Sequence, residues 1–184
     1  SSTFYITGSS TTTLKSFTTA GVLGTTTWTL AVAGVKAIAV TQTNTILYYL
    51  AATLNAAVKR WDLVNDVALT DLVAGIGATY AAIPDLLVLS DGTIIAGYVG
   101  GVSGFDLQVK AYSAAGATVQ TYALGDAGAD IRLAMAIDDP NSFWLWTKNL
   151  TGGVRTGFSR FRNIKVSDGT VLTDLAAVTI YNSG

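Results

Sequence analysis

The sequence of 184 residues contains no His, no Cys and no Glu, so all 12 of its acidic residues are Asp. The absence of His excludes a Ser-His-Asp triad, an imidazole general base and a His metal site. The absence of Cys excludes a thiol nucleophile, a zinc–thiolate cluster and disulfide bonds. Any catalytic site would therefore have to be built on Asp carboxylates.

Charge is also scarce, since charged residues make up 12% of the chain and the net charge is −1. This balance argues against nucleic acid or an anionic membrane as a partner. No apolar run reaches the length of about 18 residues that a membrane helix needs, so membrane insertion is not expected. The chain begins with Ser1 rather than Met and shows no signal peptide, which is typical of a processed or trimmed chain.

What is abundant points to strands. Thr, Val, Gly and aromatic residues are frequent, whereas the missing Glu and the few Lys and Arg leave little material for solvated helix faces. One short motif recurs, consisting of an apolar residue, a base, any residue and an aromatic residue. Its copies are Leu14-Lys15-Ser16-Phe17, Val58-Lys59-Arg60-Trp61, Val109-Lys110-Ala111-Tyr112 and, more loosely, Phe158-Ser159-Arg160-Phe161.

The motif lies within a larger repeat. Three strand-like segments, 35–41, 86–89 and 131–137, each end in a turn and lead into a second strand. The aromatic motif follows as a third strand, and a turn-former such as Gly21, Asn65 or Gly116 leads into a fourth. The period of roughly 45 to 50 residues is that of propeller blades.

The sequence therefore predicts an all-β fold, a four-bladed β-propeller with four-stranded antiparallel blades. Residues 3–7 resemble a second strand that lacks its first, and residues 178–181 resemble a first strand with nothing after it. We expect these two segments to pair and close the ring. The predicted blades are residues 1–30 plus 176–184, 31–72, 81–124 and 130–175.

Alternation along the first strands predicts which side chains share a face. The large residues are expected on one side and the small residues on the other. The large set is Ile38, Val40, Leu87, Leu89, Leu133 and Met135, and the small set is Ala37, Ala39, Ala134 and Ala136.

Residues 58–72 resemble the third and fourth strands of a WD-repeat blade, with Trp61-Asp62 in the place of that family's Trp-Asp pair. The wider pattern, including Ser90-Asp91-Gly92-Thr93 and Ser167-Asp168-Gly169-Thr170, is similar to generic bacterial propeller repeats. The Gly-His pair of WD-repeats cannot exist here. The resemblance implies a propeller and no catalytic residue.

Four side chains in the predicted long loops are the candidate contact residues: Tyr80, Asp126, Asp130 and Arg155. Those loops span 73–82, 98–104, 125–130 and 149–157, on the face opposite the tight turns. Tyr80 could stack on a sugar or peptide or could plug the loop against the core. The two aspartates could hold a hard cation such as calcium, but two ligands are too few, and turn formation is favoured over a metal site. Arg155 could bind an anion or one of those aspartates, or be a solvated loop charge.

A further aromatic cluster lies in one predicted strand. Alternation places Trp144 and Trp146 on one face and Phe143 on the other. Packing between blades is the favoured interpretation of these rings, and a stacking platform for a ligand is the alternative.

Three classes of function remain. The first is a non-enzymatic binding or assembly module, such as a component of an extracellular surface structure, a filament or a virion. The second is a glycan- or peptide-binding module acting through the long-loop face, and the third is an Asp-based hydrolase or lyase. We favour the first two, with a protein partner or self-association most expected and no cofactor, because no acid–base constellation is visible.

Overall fold

The computed structural model describes residues 3–7, 12–32, 34–51, 57–76, 85–100, 106–124, 128–151 and 154–179. Over these residues the chain is all-β, as predicted, and its strands form four separate antiparallel sheets in chain order. Three sheets have four strands and the first has three. Within each sheet every strand pairs with the next strand along the chain, which is the blade topology of a propeller.

The strand bounds of the four sheets are as follows. The first sheet contains β1 (Thr3–Thr7), β2 (Thr13–Thr18) and β3 (Leu23–Thr29). The second contains β4 (Val35–Val40), β5 (Ile46–Ala51), β6 (Val58–Asp62) and β7 (Val67–Val73). The third contains β8 (Asp85–Val88), β9 (Ile94–Gly100), β10 (Asp106–Tyr112) and β11 (Thr118–Tyr122). The fourth contains β12 (Gly128–Met135), β13 (Ser142–Thr151), β14 (Val154–Lys165) and β15 (Val171–Thr179).

The tight turns between strands contain the residues that the sequence predicted for them. Positive φ occurs at six of these turns, where the backbone is left-handed and favours Gly, Asn or Asp. The residues are Gly21, Asn44, Asp66, Gly92, Gly116 and Gly169. Asp62 supports one such turn because its Oδ1 accepts the backbone N–H groups of Val64 and Asn65 at 2.8 and 2.9 Å.

Three apolar layers lie between successive sheets. The first layer joins sheets one and two through Leu14, Trp28, Leu47, Tyr49 and Trp61. The second joins sheets two and three through Leu50, Val58, Leu72, Ile94, Tyr98 and Tyr112. The third joins sheets three and four through Ile95, Val109, Tyr122, Phe143, Leu145 and Ile164.

Hydrogen bonds accompany this packing at two of the layers. Trp28 Nε1 donates to the carbonyl of Leu63 at 3.4 Å, and the Tyr122 hydroxyl donates to the carbonyl of Val166 at 2.9 Å. Burial raises the pKa of Tyr98 to about 12 in the middle layer, which keeps that phenol neutral. The sheets are thus stacked in chain order, each on the next.

One cross-strand pair recurs at the same place in every sheet. It joins the second strand of a blade to the strand after it, as Leu47↔Trp61, Ile94↔Tyr112 and Phe143↔Ile164. All six of these side chains are buried against the preceding sheet. In the first sheet the corresponding pair is Phe4↔Phe17.

This register corrects the fourth copy of the aromatic motif. Phe161 was predicted to be equivalent to Trp61 and Tyr112, but Ile164 occupies that position. Phe161 pairs with Trp146 and lies on the opposite face, where it is 36% exposed. The extra residues before Gly169 shift the motif by an odd number of positions, which reverses the facing of a strand residue.

The predicted alternation of large and small residues in the first strands is confirmed for the second sheet. Ile38 and Val40 pack in the first layer, whereas Ala37 and Ala39 pack in the second. Leu87, Leu89 and Leu133 likewise share the third layer. Met135 lies on the same side as Leu133, because it pairs with the buried Phe143, but it is at the end of β12 and is 46% exposed. It contributes to a small groove of about 270 Å³ beside Leu89 and Pro140.

The predicted ring closure is wrong. In place of pairing with Thr3–Thr7, Val178 and Thr179 pair with Ser159 and Phe158, and so continue β15 in the fourth sheet. Residues 180–184 lie outside the described residues. Among the described strands β1 pairs with β2 alone, so the four sheets form an open series and a four-bladed ring is not observed. Alternation identifies a strand but carries no information on which edge it joins.

Candidate contact surface

The outer face of the fourth sheet carries an aromatic cluster. Side chains that are directly opposite in an antiparallel sheet share a face, and the register aligns Arg132 with Trp146 and Phe161, and Ala134 with Trp144. The neighbouring positions, Phe143 and Leu145 among them, are buried against the third sheet. Trp144 and Trp146 therefore share one face, as predicted, and that face is the one turned away from the third sheet. We call it the outer face.

The rings of the outer face line a groove of about 530 Å³. The Trp146 and Phe161 centroids are 6.5 Å apart with the ring planes inclined at 52°. Both Trp side chains are half-buried, and Ala134 between them is exposed. The full lining is Arg132, Leu133, Ala134, Trp144, Trp146 and Phe161.

The described lining of the groove is mainly apolar. Arg132 is the one charged residue among the described residues that line the groove. The Nη1 of Arg132 donates a hydrogen bond to the carbonyl of Ile131 at 2.6 Å. Asp174 in β15 lies on the other face of the same sheet and is paired with Arg160. Among the described residues that line the groove, Arg132 alone is titratable, so these residues provide no acid–base pair.

Two adjacent carboxylates precede the turn between β12 and β13. Asp138 and Asp139 precede Pro140, and Asp139 Oδ1 accepts the backbone N–H of Asn141 at 2.9 Å. The Asp139 carbonyl also accepts the N–H of Ser142. Asp139 is therefore a turn residue.

The four residues predicted from the loops are placed only in part. Tyr80 and Asp126 lie outside the described residues. Asp130 belongs to β12 and Arg155 to β14, so neither is a loop residue. Their registers, Asp130↔Lys148 and Arg155↔Leu150, place both at the end of the fourth sheet that is remote from the turn between β12 and β13.

The predicted loop at 149–157 is accordingly wrong for most of its length. β13 continues through Thr151 and β14 begins at Val154, so residues 152 and 153 alone separate them. The predicted loop at 125–130 is likewise shortened, since β12 begins at Gly128. β-Branched residues at 151, 154 and 156 favour strand, and pairing of the two strands outweighs the interspersed glycines.

No cluster of three or more metal-ligating side chains occurs among the residues that the structure describes. The same residues include no helix long and apolar enough to cross a membrane.

Comparison with known proteins shows the fold. No protein-family model matches the chain, and no curated protein matches it either. Among solved structures it is similar to hydrazine synthase of Kuenenia stuttgartiensis, with a TM-score of 0.71 and 14% identity over 96% of this chain and 46% of that one. It is also similar to the Dos1 propeller, with a TM-score of 0.58 and 14% identity over 91% and 42% of the two chains.

A third similar structure is a functionally unknown protein from Desulfotomaculum acetoxidans, with a TM-score of 0.64 and 11% identity over 97% and 54% of the two chains. At these identities the likeness establishes a propeller-like fold and nothing about activity. The chain spans about half the length of each of these structures.

Proposed function

We propose that this chain is a non-catalytic assembly module that associates with a second copy of itself through the outer face of its fourth sheet. One observation carries the proposal: Trp144, Trp146 and Phe161 form a continuous aromatic surface with no sheet packed on it among the described residues. Aromatic residues at the centre of a contact contribute most of its binding energy. A surface of this kind on a propeller-like fold supports association rather than chemistry.

The composition supports the same proposal. The chain carries few charges, and charged residues are depleted at the centres of protein–protein contacts. Self-association of such a unit would suit a component of an extracellular surface structure, a filament or a virion, and we include this setting in the proposal.

Sedimentation of the purified chain tests the proposal. The change Ala134→Asp adds a carboxylate at the centre of the outer face without leaving a cavity, because Ala134 is exposed. We expect the wild-type chain to associate as its concentration rises and Ala134→Asp to remain a single copy, with the melting temperature that the wild type shows at concentrations where it is also a single copy. Val119→Asp is the matched control, because Val119 is 55% exposed on β11, an outermost strand away from the outer face. Equal association of the wild type and Ala134→Asp would refute the proposal.

A glycan is the second candidate partner, favoured by the groove itself. Two indoles and a phenyl ring around about 530 Å³ provide flat apolar surfaces on which sugar rings stack. Titration of the wild-type chain with neutral oligosaccharides, followed by Trp emission, would reveal this activity, and Trp146→Ala would remove it. The predicted contact residues Tyr80, Asp126, Asp130 and Arg155 belong to the same candidate as a second ligand contact, to which Asp130 would contribute from β12 and Arg155 from β14.

A further inference from the structure

Among the described residues, no sheet packs on the outward face of the first sheet, which is the other end of the series. In this sheet Phe17 of β2 pairs with Leu23 of β3 on one side and with Phe4 of β1 on the other. Phe17 is half-buried and Leu23 is 48% exposed. The opposite face of this sheet, with Leu14 and Trp28, packs on the second sheet. We call the surface around Phe17 and Leu23 the leading face.

The repeat shows what the leading face would contact. Phe17 holds the position that Trp61 and Tyr112 hold in the next two sheets. Those two rings are 8% and 2% exposed, since each packs on the sheet that precedes its own. Phe17 therefore occupies the position that packs on a preceding sheet in the second and third sheets.

The outer face of the fourth sheet holds the complementary position. On the second strand of a blade, one residue directly follows the member of the recurring pair. This residue is Tyr48 in the second sheet, Ile95 in the third and Trp144 in the fourth. Tyr48 and Ile95 are 5% and 0% exposed because the following sheet covers them. Trp144 is half-buried and no following sheet is present among the described residues. Trp144 therefore occupies the position that a following sheet covers in the second and third sheets.

We infer that the leading face of one copy packs on the outer face of another, so that two copies form one closed ring of eight sheets. The inference rests on the proposed function and specifies the surface that the second copy supplies. A contact between two different faces, made twice around a twofold axis, closes without leaving either face exposed. Eight sheets are within the range of known propellers, and the chain covers 42% to 54% of the similar solved structures, as half of such a ring would.

Two blocked variants test the pairing of faces. Ala134→Asp blocks the outer face, and Leu23→Asp blocks the leading face at an exposed position of β3. For the wild type we expect a mass twice the 19.1 kDa of one copy. Each variant alone lacks one of the two faces and is expected to be a single copy.

Mixing the two variants gives the decisive result. The leading face of Ala134→Asp is intact, and so is the outer face of Leu23→Asp. An equimolar mixture is therefore expected to form a dimer of one copy of each, held by one contact instead of two and at least about tenfold weaker than the wild type. Thermal melts of both variants, with Val119→Asp as the control for an added surface charge, establish that each remains folded.

Three results would overturn the inference. A wild-type dimer that persists in Leu23→Asp would show that two outer faces meet each other, so that the proposed function stands and the head-to-tail ring does not. Wild-type species larger than two copies would show an open series in place of a ring. A wild type that remains a single copy at every concentration up to about 0.1 mM would refute both the ring and the proposed function.

Discussion

The carboxylate of Asp85 accepts the backbone N–H of Leu133 across the boundary between the third and fourth sheets, with Oδ2 and N 2.7 Å apart. Its other oxygen accepts the N–H of Leu86 at 3.0 Å. Asp85 begins β8 and Leu133 lies in β12, and these first strands of successive sheets lie against each other. Burial raises the pKa of Asp85, since desolvation outweighs the two backbone donors and the nearby Arg132 guanidinium.

The pH dependence of stability should report this burial. Because the folded pKa is above the ordinary value of 3.8, the stability linked to Asp85 is fully present below that value and is lost as pH rises through the folded pKa. Asp85→Asn keeps an acceptor oxygen without the charge. We expect its melting temperature at pH 7 to equal or exceed that of the wild type, with the difference disappearing below about pH 4.

Asp85→Ala is the matched variant, since it removes the acceptor as well as the charge. It leaves the Leu133 N–H without its partner and should lower the free energy of unfolding by about 1 to 3 kcal/mol at pH 7. Equal destabilisation by the Asn and Ala variants would show that the charge, and not the acceptor oxygen, stabilises the boundary.

A second prediction concerns Gly116, the left-handed residue of the turn between β10 and β11. A Cβ atom at this position would lie 2.1 Å from the carbonyl oxygen of Leu72 in the neighbouring sheet. Gly92 has a similar φ of 85°, but a Cβ atom added there would have nothing within 4 Å.

Gly92→Ala should therefore lower the free energy of unfolding by about 1 to 2 kcal/mol, for the strained backbone alone. Gly116→Ala should cost about 1 to 3 kcal/mol more, because backbone atoms of two sheets would have to separate. Chemical denaturation measures both, and equal losses would contradict the close approach of the two sheets.

A third prediction uses the ion pair between β14 and β15. Arg160 Nε donates a hydrogen bond to Asp174 Oδ1 at 2.9 Å. Hydrogen bonding from Arg160 holds the pKa of the Asp174 carboxyl below its ordinary value of 3.8. Stability linked to Asp174 is therefore present above its unfolded pKa and lost as pH falls through the folded pKa, the opposite trend to Asp85. Asp174→Asn should lower the stability at pH 7 by at most about 1 kcal/mol, since the pair is a third exposed. Thermal melts in 1 M NaCl, roughly a 3 Å screening length, should reduce the difference. A loss that grows toward low pH would contradict the assignment.

A fourth prediction concerns the end of the fourth sheet where Asp130 and Arg155 lie. If the contact residues predicted from the sequence bind a partner, Tyr80→Ala and Arg155→Ala should each weaken association about fivefold, the effect of roughly 1 kcal/mol lost from a contact. Their melting temperatures should not change. Sedimentation and the oligosaccharide titration measure the two kinds of association separately. Unchanged values in both variants would remove these residues from the contact surface.

The sequence predicted the strands and turns because both are local. Left-handed turns leave a signature in Gly21 and Asn44, and alternation assigns Trp144 and Trp146 to one face. Ring closure depends on which edge Val178 joins, and the same residues alternate in either pairing. The paired strands on both sides of residues 152 and 153 were missed for a related reason, since their pairing outweighs the glycines that suggested a loop.

The aromatic surface itself was only half predictable. Alternation showed that two indoles share a side, but the position of that side at the end of a series depends on how many sheets stack and in which order. Phe161 was assigned to the wrong side because the spacing to its turn differs from that in the earlier repeats. The equivalent residue, Ile164, precedes its left-handed turn residue Gly169 by five positions, the same spacing as Trp61 to Asp66, so distance from the turn is the sequence signal for this position.

Stacking in chain order also determines which sheet unfolds first. In a single copy, each inner sheet gains free energy from two neighbours, whereas a terminal sheet has one, so unfolding in such nearest-neighbour arrays begins at the ends. The fourth sheet is reinforced by the long strands β13 and β14, with 10 and 12 residues. The first has three strands, and its longest, β3, has seven residues. Amide protons of β2 and β3 should thus exchange with solvent before those of β9 and β10, and an unfolding front should travel from the first sheet toward the fourth.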